Sequence, residues 1–232
     1  MAGDGLRAVL FDLDFTLARP GPELGPEGYV RIARRHGIEL DVSRHDAART
    51  AALESLEKHP DFRHDEEIWI AFTSRILTGM GADPDTARPI AYEVERAWEQ
   101  SDNFDLYEDV QPVLEELRGY GLRLGVVSNG ARDLREFLQH HGLEFDVAVG
   151  SRYHGKVKPD PTIFHKALSR LEVEPEEAAM VGDHLEDDVE GARALGMCAV
   201  LIDREDRYPE IEDRLTDLYG LPAALGLIVR ES

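Results

Sequence analysis

Apolar and polar positions follow two different rhythms along this chain. Residues 6–17 and 106–203 carry short, continuous apolar runs separated by stretches of helical period. The runs are Ala8-Val9-Leu10-Phe11, 122–127, Val147-Ala148-Val149, 178–181 and 198–202. A run that is apolar at every position needs cover on both faces, the mark of a parallel strand between helical layers. The helical stretches end in Gly121, Gly142 and Gly196, each just ahead of a strand, where a left-handed backbone closes a helix. The pattern predicts an α/β fold, a doubly wound (Rossmann-like) parallel sheet of five strands joined by crossover helices.

Between the first and second strands the rhythm becomes purely helical. Helices are predicted over 27–36, 43–58, 65–79 and 85–100, with Leu53, Leu56, Ile68, Ala71, Phe72, Ile76 and Leu77 at three- and four-residue spacing. Ser43 ahead of Asp46, and Asp65 ahead of Ile68, read as helix starts. Pro89 predicts a later start or a kink in the last of them. Arg19-Pro20-Gly21-Pro22 reads as a hinge. The expected organisation is therefore a core of residues 1–18 and 105–232, carrying a helical insert at 19–104. In the final stretch, 211–219 predicts one more helix.

Charge narrows the functional classes. Lys and Arg total 26 against 47 Asp and Glu, a formal net charge of −21. Such a surface repels nucleic-acid phosphates and has no attraction for anionic lipid, so neither nucleic acid nor membrane is an expected partner. Any phosphate handled here needs local basic groups or a metal. The single cysteine, Cys198, excludes an intrachain disulfide, and its apolar setting predicts a buried small hydrophobe. No signal-peptide pattern or membrane-length apolar stretch is present, and the expectation is a soluble, cytoplasmic protein.

In open α/β sheets ligands bind beyond the carboxyl ends of the strands, so polar residues following apolar runs carry the chemistry. After the first strand come Asp12-Leu13-Asp14-Phe15-Thr16, after the second Ser128-Asn129-Gly130, and after the fourth Gly182-Asp183. Lys156-Val157-Lys158-Pro159 follows the third, in a chain whose lysines are only Lys58, Lys156, Lys158 and Lys166. Two carboxylates at Asp12 and Asp14 repel unless a cation intervenes, and Asp183 adds a third. An all-oxygen set of this kind suits Mg²⁺. Lys158, Ser128 and Asn129 suit an anion such as phosphate. Each motif alone is ordinary turn chemistry; four in order, each beside its own strand, point to phosphoryl transfer.

These motifs resemble those of the haloacid dehalogenase (HAD) superfamily, in the subgroup with a helical cap between motifs one and two. The matching segments are Phe11-Asp12-Leu13-Asp14-Phe15-Thr16-Leu17, Val126-Val127-Ser128-Asn129-Gly130, Lys158-Pro159-Asp160-Pro161-Thr162-Ile163-Phe164 and the stretch 181–192 beginning Val181-Gly182-Asp183. Phe15 departs from the small or polar residue common at its position. The resemblance implies Asp12 as nucleophile forming an aspartyl-phosphate and Asp14 as the acid and base. It implies Mg²⁺ held by the Asp12 and Asp183 carboxylates and the Asp14 carbonyl. Ser128, the Asn129 N–H and Lys158 would hold phosphoryl oxygens, with Asp188 orienting a metal-bound water or Lys158 and Asp187 a weaker candidate for that place. The implied protein is an Mg²⁺-dependent phosphatase of a small phosphorylated metabolite.

Three other readings share parts of this pattern. A phosphomutase keeps every motif. A 2-haloacid dehalogenase uses the same nucleophile on carbon but needs neither the metal nor Asp14. A non-catalytic binding domain on the same scaffold would lose a nucleophile or metal ligand, and none is missing. In the insert, Arg31, Arg34 and Arg35 read as an exposed helix face, with contact to a second anionic group as the alternative. His184 reads as solvent-facing rather than metal-bound.

Overall fold

The computed structural model describes residues 5–56 and 66–227. The chain divides into two compact units, residues 1–19 with 105–232, and residues 20–104. The first is built on a five-stranded parallel sheet, β1 (Ala8–Phe11), β4 (Arg123–Ser128), β5 (Val147–Gly150), β6 (Ala178–Gly182) and β7 (Cys198–Leu201), in the spatial order β5-β4-β1-β6-β7. Two short strands, β2 (Ala18–Pro20) and β3 (Phe104–Leu106), pair separately. Every residue of β1 and β6 is buried, which is why these strands are apolar without alternation. The registers Phe11↔Val126, Phe11↔Val181 and Ser128↔Gly150 bring the carboxyl ends of the strands level. Gly121, Gly142 and Gly196 all have positive φ at the closures the sequence predicts.

Crossover helices α5 (Val110–Gly119), α6 (Leu134–His140), α7 (Ser151–His154), α8 (Pro161–Leu171) and α9 (Gly191–Arg193) link the strands. Helix α8 starts cleanly because the Asp160 carboxylate accepts from the Thr162 N–H and Pro161 needs no partner at the first helical position. Its Ile163, Phe164, Ala167, Leu168 and Leu171 pack with Leu10, Val127 and Met180 in one apolar layer. Cys198 is half-buried on β7, an edge strand, so it is less enclosed than its apolar neighbours suggest.

The insert is helical, as the periodicity predicts: α1 (Pro26–Arg35), α2 (His45–Leu56), α3 (Glu66–Gly79) and α4 (Pro84–Trp98). It has its own core, including Tyr29, Ile32, Ile70, Ile76, Leu77, Met80, Ile90 and Val94. The predicted start at Ser43 is a short 3₁₀ turn capped by the Asp41 carboxylate, and α2 proper begins at His45. The predicted start at Asp65 lies outside the described residues. Helix α4 does not start late: the Asp83 carboxylate caps it at Pro84, and it runs on through the exposed Pro89 to Trp98. Arg31, Arg34 and Arg35 pair with Glu23, Glu39 and Glu93 at 2.7, 3.3 and 3.0 Å on the surface of this unit. No helix among the described residues is long and apolar enough to cross a membrane.

The predicted helix at 211–219 is absent. Bonds along the stretch 203–215 hold the backbone in another shape: the Asp203 carboxylate accepts from the Arg207 and Tyr208 N–H groups at 2.8 and 2.9 Å, the Arg214 guanidinium donates to the Ile211 carbonyl at 3.0 Å, and the Leu215 N–H donates to the Leu201 carbonyl at 2.9 Å. One short helix follows, α10 (Leu221–Ala224). The same stretch supplies Arg204, whose guanidinium donates to both Asp109 oxygens at 2.9 Å and to the Thr16 carbonyl, and lies 3.8 Å from the centroid of the Tyr107 ring. Asp109 also accepts from the Leu218 N–H at 2.7 Å. Removing the cation leaves a buried carboxylate unmatched, so Arg204→Met is expected to lower the unfolding free energy by about 3–5 kcal/mol. The check is the urea midpoint; a loss below about 1 kcal/mol would mean Asp109 is matched without Arg204.

Candidate functional site

β1 ends at Phe11, and the chain turns at once. The Leu17 and Ala18 N–H groups both donate to the Leu13 carbonyl, at 2.8 and 3.0 Å, and Phe15 takes a left-handed φ of 61°. A bulky residue in that region is strained, and here it lets Asp12 and Asp14 diverge from one short turn. Asp12 stays at the sheet, its N–H bonded to the Val181 carbonyl at 2.8 Å. Asp14 leans outward and meets Arg132, Nη1 to Oδ1 at 2.8 Å and Nη2 to Oδ2 at 3.5 Å.

Lys158 enters from the loop ahead of α8, and only 2% of it is exposed. Its Nζ lies against Asp12 Oδ1 and 2.6 Å from Asp188 Oδ1. Asn129 fixes that loop by accepting from the Lys158 N–H at 2.7 Å and donating to the Lys158 carbonyl at 3.0 Å. The side chain of Asn129 therefore positions the lysine, a task the sequence reading did not assign to it. Ser128 closes β4 beside it, buried.

Beyond β6, residues Leu185–Glu190 wind as a π-helical turn. His184 caps it, its Nδ1 accepting from the Asp187 N–H at 3.3 Å, which gives this histidine a local structural task and leaves oxygen ligands to the acids. The turn folds Asp188 back onto the strand end, where its Oδ2 accepts from the His184 N–H at 3.0 Å. A Cβ on Gly182 would come within 2.2 Å of that oxygen, so only glycine leaves room for the carboxylate. Asp187 sits further out, 3.5 Å from Asn129 Nδ2.

Asp12, Asp183 and Asp188 thus offer oxygens within 4.8 Å of one another, all buried. Asp188, expected to orient a metal-bound water or Lys158, lies 2.6 Å from the Lys158 ammonium and shares the cluster with Asp12 and Asp183. The carboxylate of Asp14 lies with Arg132 instead. Burial, opposed by Lys158, pushes Asp12 up to about 6. Burial and repulsion from Asp12 and Asp188 push Asp183 up to about 8, against the pull of Arg207, which donates to both the carboxylate and the carbonyl of Asp183. Asp14 is also raised by burial, with Arg132 working the other way. Lys158 is held above its ordinary value, because Asp12 and Asp188 outweigh its own desolvation. Three buried carboxylates sharing one lysine and one arginine leave uncompensated negative charge. Hard oxygen donors in that state fit a divalent cation.

Arg132 and Arg207 escaped the sequence reading. Their partners lie 118 and 24 residues away, and no local spacing announces such pairs.

The first unit is thus an open parallel sheet with a carboxylate–lysine cluster beyond its strand ends, the place where α/β proteins of this build hold their ligands, and a helical insert follows its first strand. Residues 6–196 match the family described as haloacid dehalogenase-like hydrolase. Phosphoserine phosphatase of Thermus thermophilus is 41% identical over 240 residues, covering 92% of this chain and 94% of that protein. Glyceraldehyde 3-phosphate phosphatase of Methanopyrus kandleri is 35% identical over 218 residues, covering 91% and 90%. The structure of the HAD-hydrolase YfnB from Bacillus subtilis, bound to magnesium, superposes with a TM-score of 0.73 at 19% identity, over 95% of this chain and 98% of that one. The chain belongs to the haloacid dehalogenase-like hydrolases.

The raised carboxylates make metal-free stability pH-dependent. Asp12 and Asp183 bind protons more tightly folded than unfolded, so their contribution is full below the ordinary carboxylate range and is lost as pH rises through about 6 and about 8. In EDTA, wild type is expected to lose melting temperature relative to Asp183→Asn between about pH 5 and about pH 8. Parallel melting curves across that range would exclude the repulsive cluster.

Proposed function

We propose that this hydrolase is an Mg²⁺-dependent phosphatase acting on a small phosphorylated metabolite through an aspartyl-phosphate. The observation that carries the reading is the Asp12–Lys158–Asp188 arrangement with Asp183 in the same buried cluster. Asp12 and Asp183, with the Asp14 carbonyl, are the residues that would hold Mg²⁺, which when bound offsets the cluster's excess negative charge and that of the transferring phosphoryl group. The names of the two phosphatase relatives support the substrate class.

Asp12 attacks phosphorus, and the bond from phosphorus to the ester oxygen breaks. Asp14 passes a proton to that oxygen, a role favoured by the burial that raises its carboxyl. Lys158, Ser128 and the Asn129 N–H steady the phosphoryl oxygens, with Lys158 held in place by the Asn129 side chain. A water then attacks the aspartyl-phosphate while Asp14 takes its proton, releasing phosphate and restoring Asp12. The helical insert is the part of the chain expected to select the leaving group.

The test is release of p-nitrophenol from p-nitrophenyl phosphate. Turnover is expected with Mg²⁺, to vanish in excess EDTA, and to fall on the order of a thousandfold or more in Asp12→Asn. Activity that survives EDTA or the loss of the Asp12 carboxylate would sink the mechanism.

A further inference from the structure

The turn that carries Asp12 and Asp14 is held by Arg204, whose own bonds run to Thr16 and Asp109 rather than to either acid. Thr16 lies wholly buried in the middle of that turn, and its hydroxyl has no hydrogen-bond partner among the described residues. Its carbonyl anchors it instead, accepting from Arg204 Nε at 3.1 Å and Nη2 at 2.9 Å. A buried carbonyl needs such donors, because it has given up its bonds to water.

The guanidinium is itself fixed on a second edge and on one face. Nη1 and Nη2 donate to the two Asp109 oxygens at 2.9 Å, and the Tyr107 ring centroid lies 3.8 Å from the guanidinium carbon. Only 8% of the side chain is exposed. Asp109 stands just ahead of α5 and also accepts from the Leu218 N–H, so the anchor is tied to packed structure. A planar fork serves the carbonyl and the carboxylate together, whereas the point charge of a lysine does not.

This anchorage has a task at Phe15. A φ of 61° costs free energy in a bulky residue and persists only where the surroundings over-determine the backbone. The turn's own bonds do part of that, with the Phe15 N–H donating to the Ala18 carbonyl at 2.6 Å and the Leu17 N–H to the Leu13 carbonyl at 2.8 Å. Arg204 does the rest by gripping the carbonyl of the very next residue. Without it Phe15 can relax toward the ordinary region, and Asp14, the residue before it, turns as well. Asp12 is shielded from such a change, since its N–H is bonded to the Val181 carbonyl on β6 and its carboxylate to Lys158. Resting on the phosphatase reading, we propose that Arg204 is a positioning residue for the acid–base step: by holding the Thr16 carbonyl it keeps Phe15 left-handed and Asp14 aimed at the ester oxygen.

The leaving group reads this directly. p-Nitrophenolate departs without a proton, whereas the more basic phenolate and p-methoxyphenolate depend on receiving one. With Mg²⁺, wild type is expected to hydrolyse phenyl and p-methoxyphenyl phosphate within about threefold of p-nitrophenyl phosphate in kcat/KM. Arg204→Met alone strands the Asp109 charge, so it is paired with Asp109→Asn, which still offers an acceptor to Leu218. In that double variant the gap should widen by about tenfold or more, while p-nitrophenyl phosphate keeps its kcat/KM within about threefold. Arg204→Lys widens the gap by less, and serves if the double variant does not fold. Amide hydrogen exchange needs no turnover: the Leu17 and Ala18 N–H groups should lose protection about tenfold more than those of β4. A gap that does not widen, a uniform loss across the three esters, or unchanged protection of the turn overturns the proposal, since Arg204 would then serve stability alone. A wild type already as sensitive to the leaving group as the variant overturns it too. No activity of wild type on any of the three defeats the phosphatase reading, and exchange at Leu17 and Ala18 still judges the clamp.

Discussion

The ammonium of Lys158, held between Asp12 and Asp188, is the contact on which the site depends. It joins the end of β1, the loop ahead of α8 and the turn after β6, three segments far apart in the chain. None of these charges is tolerable alone at such burial, because desolvating an isolated carboxylate or ammonium costs several kcal/mol even after relaxation. Together with Asp183 and Arg207 they form a cluster that is mutually supporting yet still negative. That residual charge makes the fold in its metal-free form resemble a spring compressed by its own acids.

The sheet makes this arrangement possible. Because β4, β1 and β6 are parallel and in register, their last residues reach the same level, and each following turn delivers its polar group to one mouth. The apolar layers beneath are fully enclosed, so the charged layer above rests on rigid, well-packed strands. The polar ends are then aimed with little freedom, a condition for transition-state stabilisation by fixed groups.

Much of this was legible in the sequence wherever the cause is local. The five strands announce themselves because burial on both faces forces apolar residues at every position. The insert's helices follow from three- and four-residue spacing. Asp12 and Asp183 are readable because each directly follows a strand, and Lys158 because a basic stretch stands just ahead of a proline-opened helix. What stayed hidden depends on distant partners. The segment after β7 looks helical by pattern, yet Asp203 captures its backbone and Arg204 is drawn 95 residues away to Asp109. Arg132 sits in an unremarkable loop until the fold brings Asp14 beside it. The insert's core was legible for the same reason as the strands, whereas a residue's ion-pair partner leaves no trace in local periodicity.

The π-helical turn at Leu185–Glu190 gives the motif's spacing a further meaning. Asp183 and Asp188 meet because the intervening chain is wound more loosely than an α-helix, which returns the second carboxylate over Gly182. Their distance in sequence is thus a matter of helical phase. Dropping one residue from the turn would rotate Asp188 by roughly a quarter turn around the axis, carrying it away from Lys158 with little change in length or composition. Related chains with the same acids but a different winding would carry the letters of this site without its geometry.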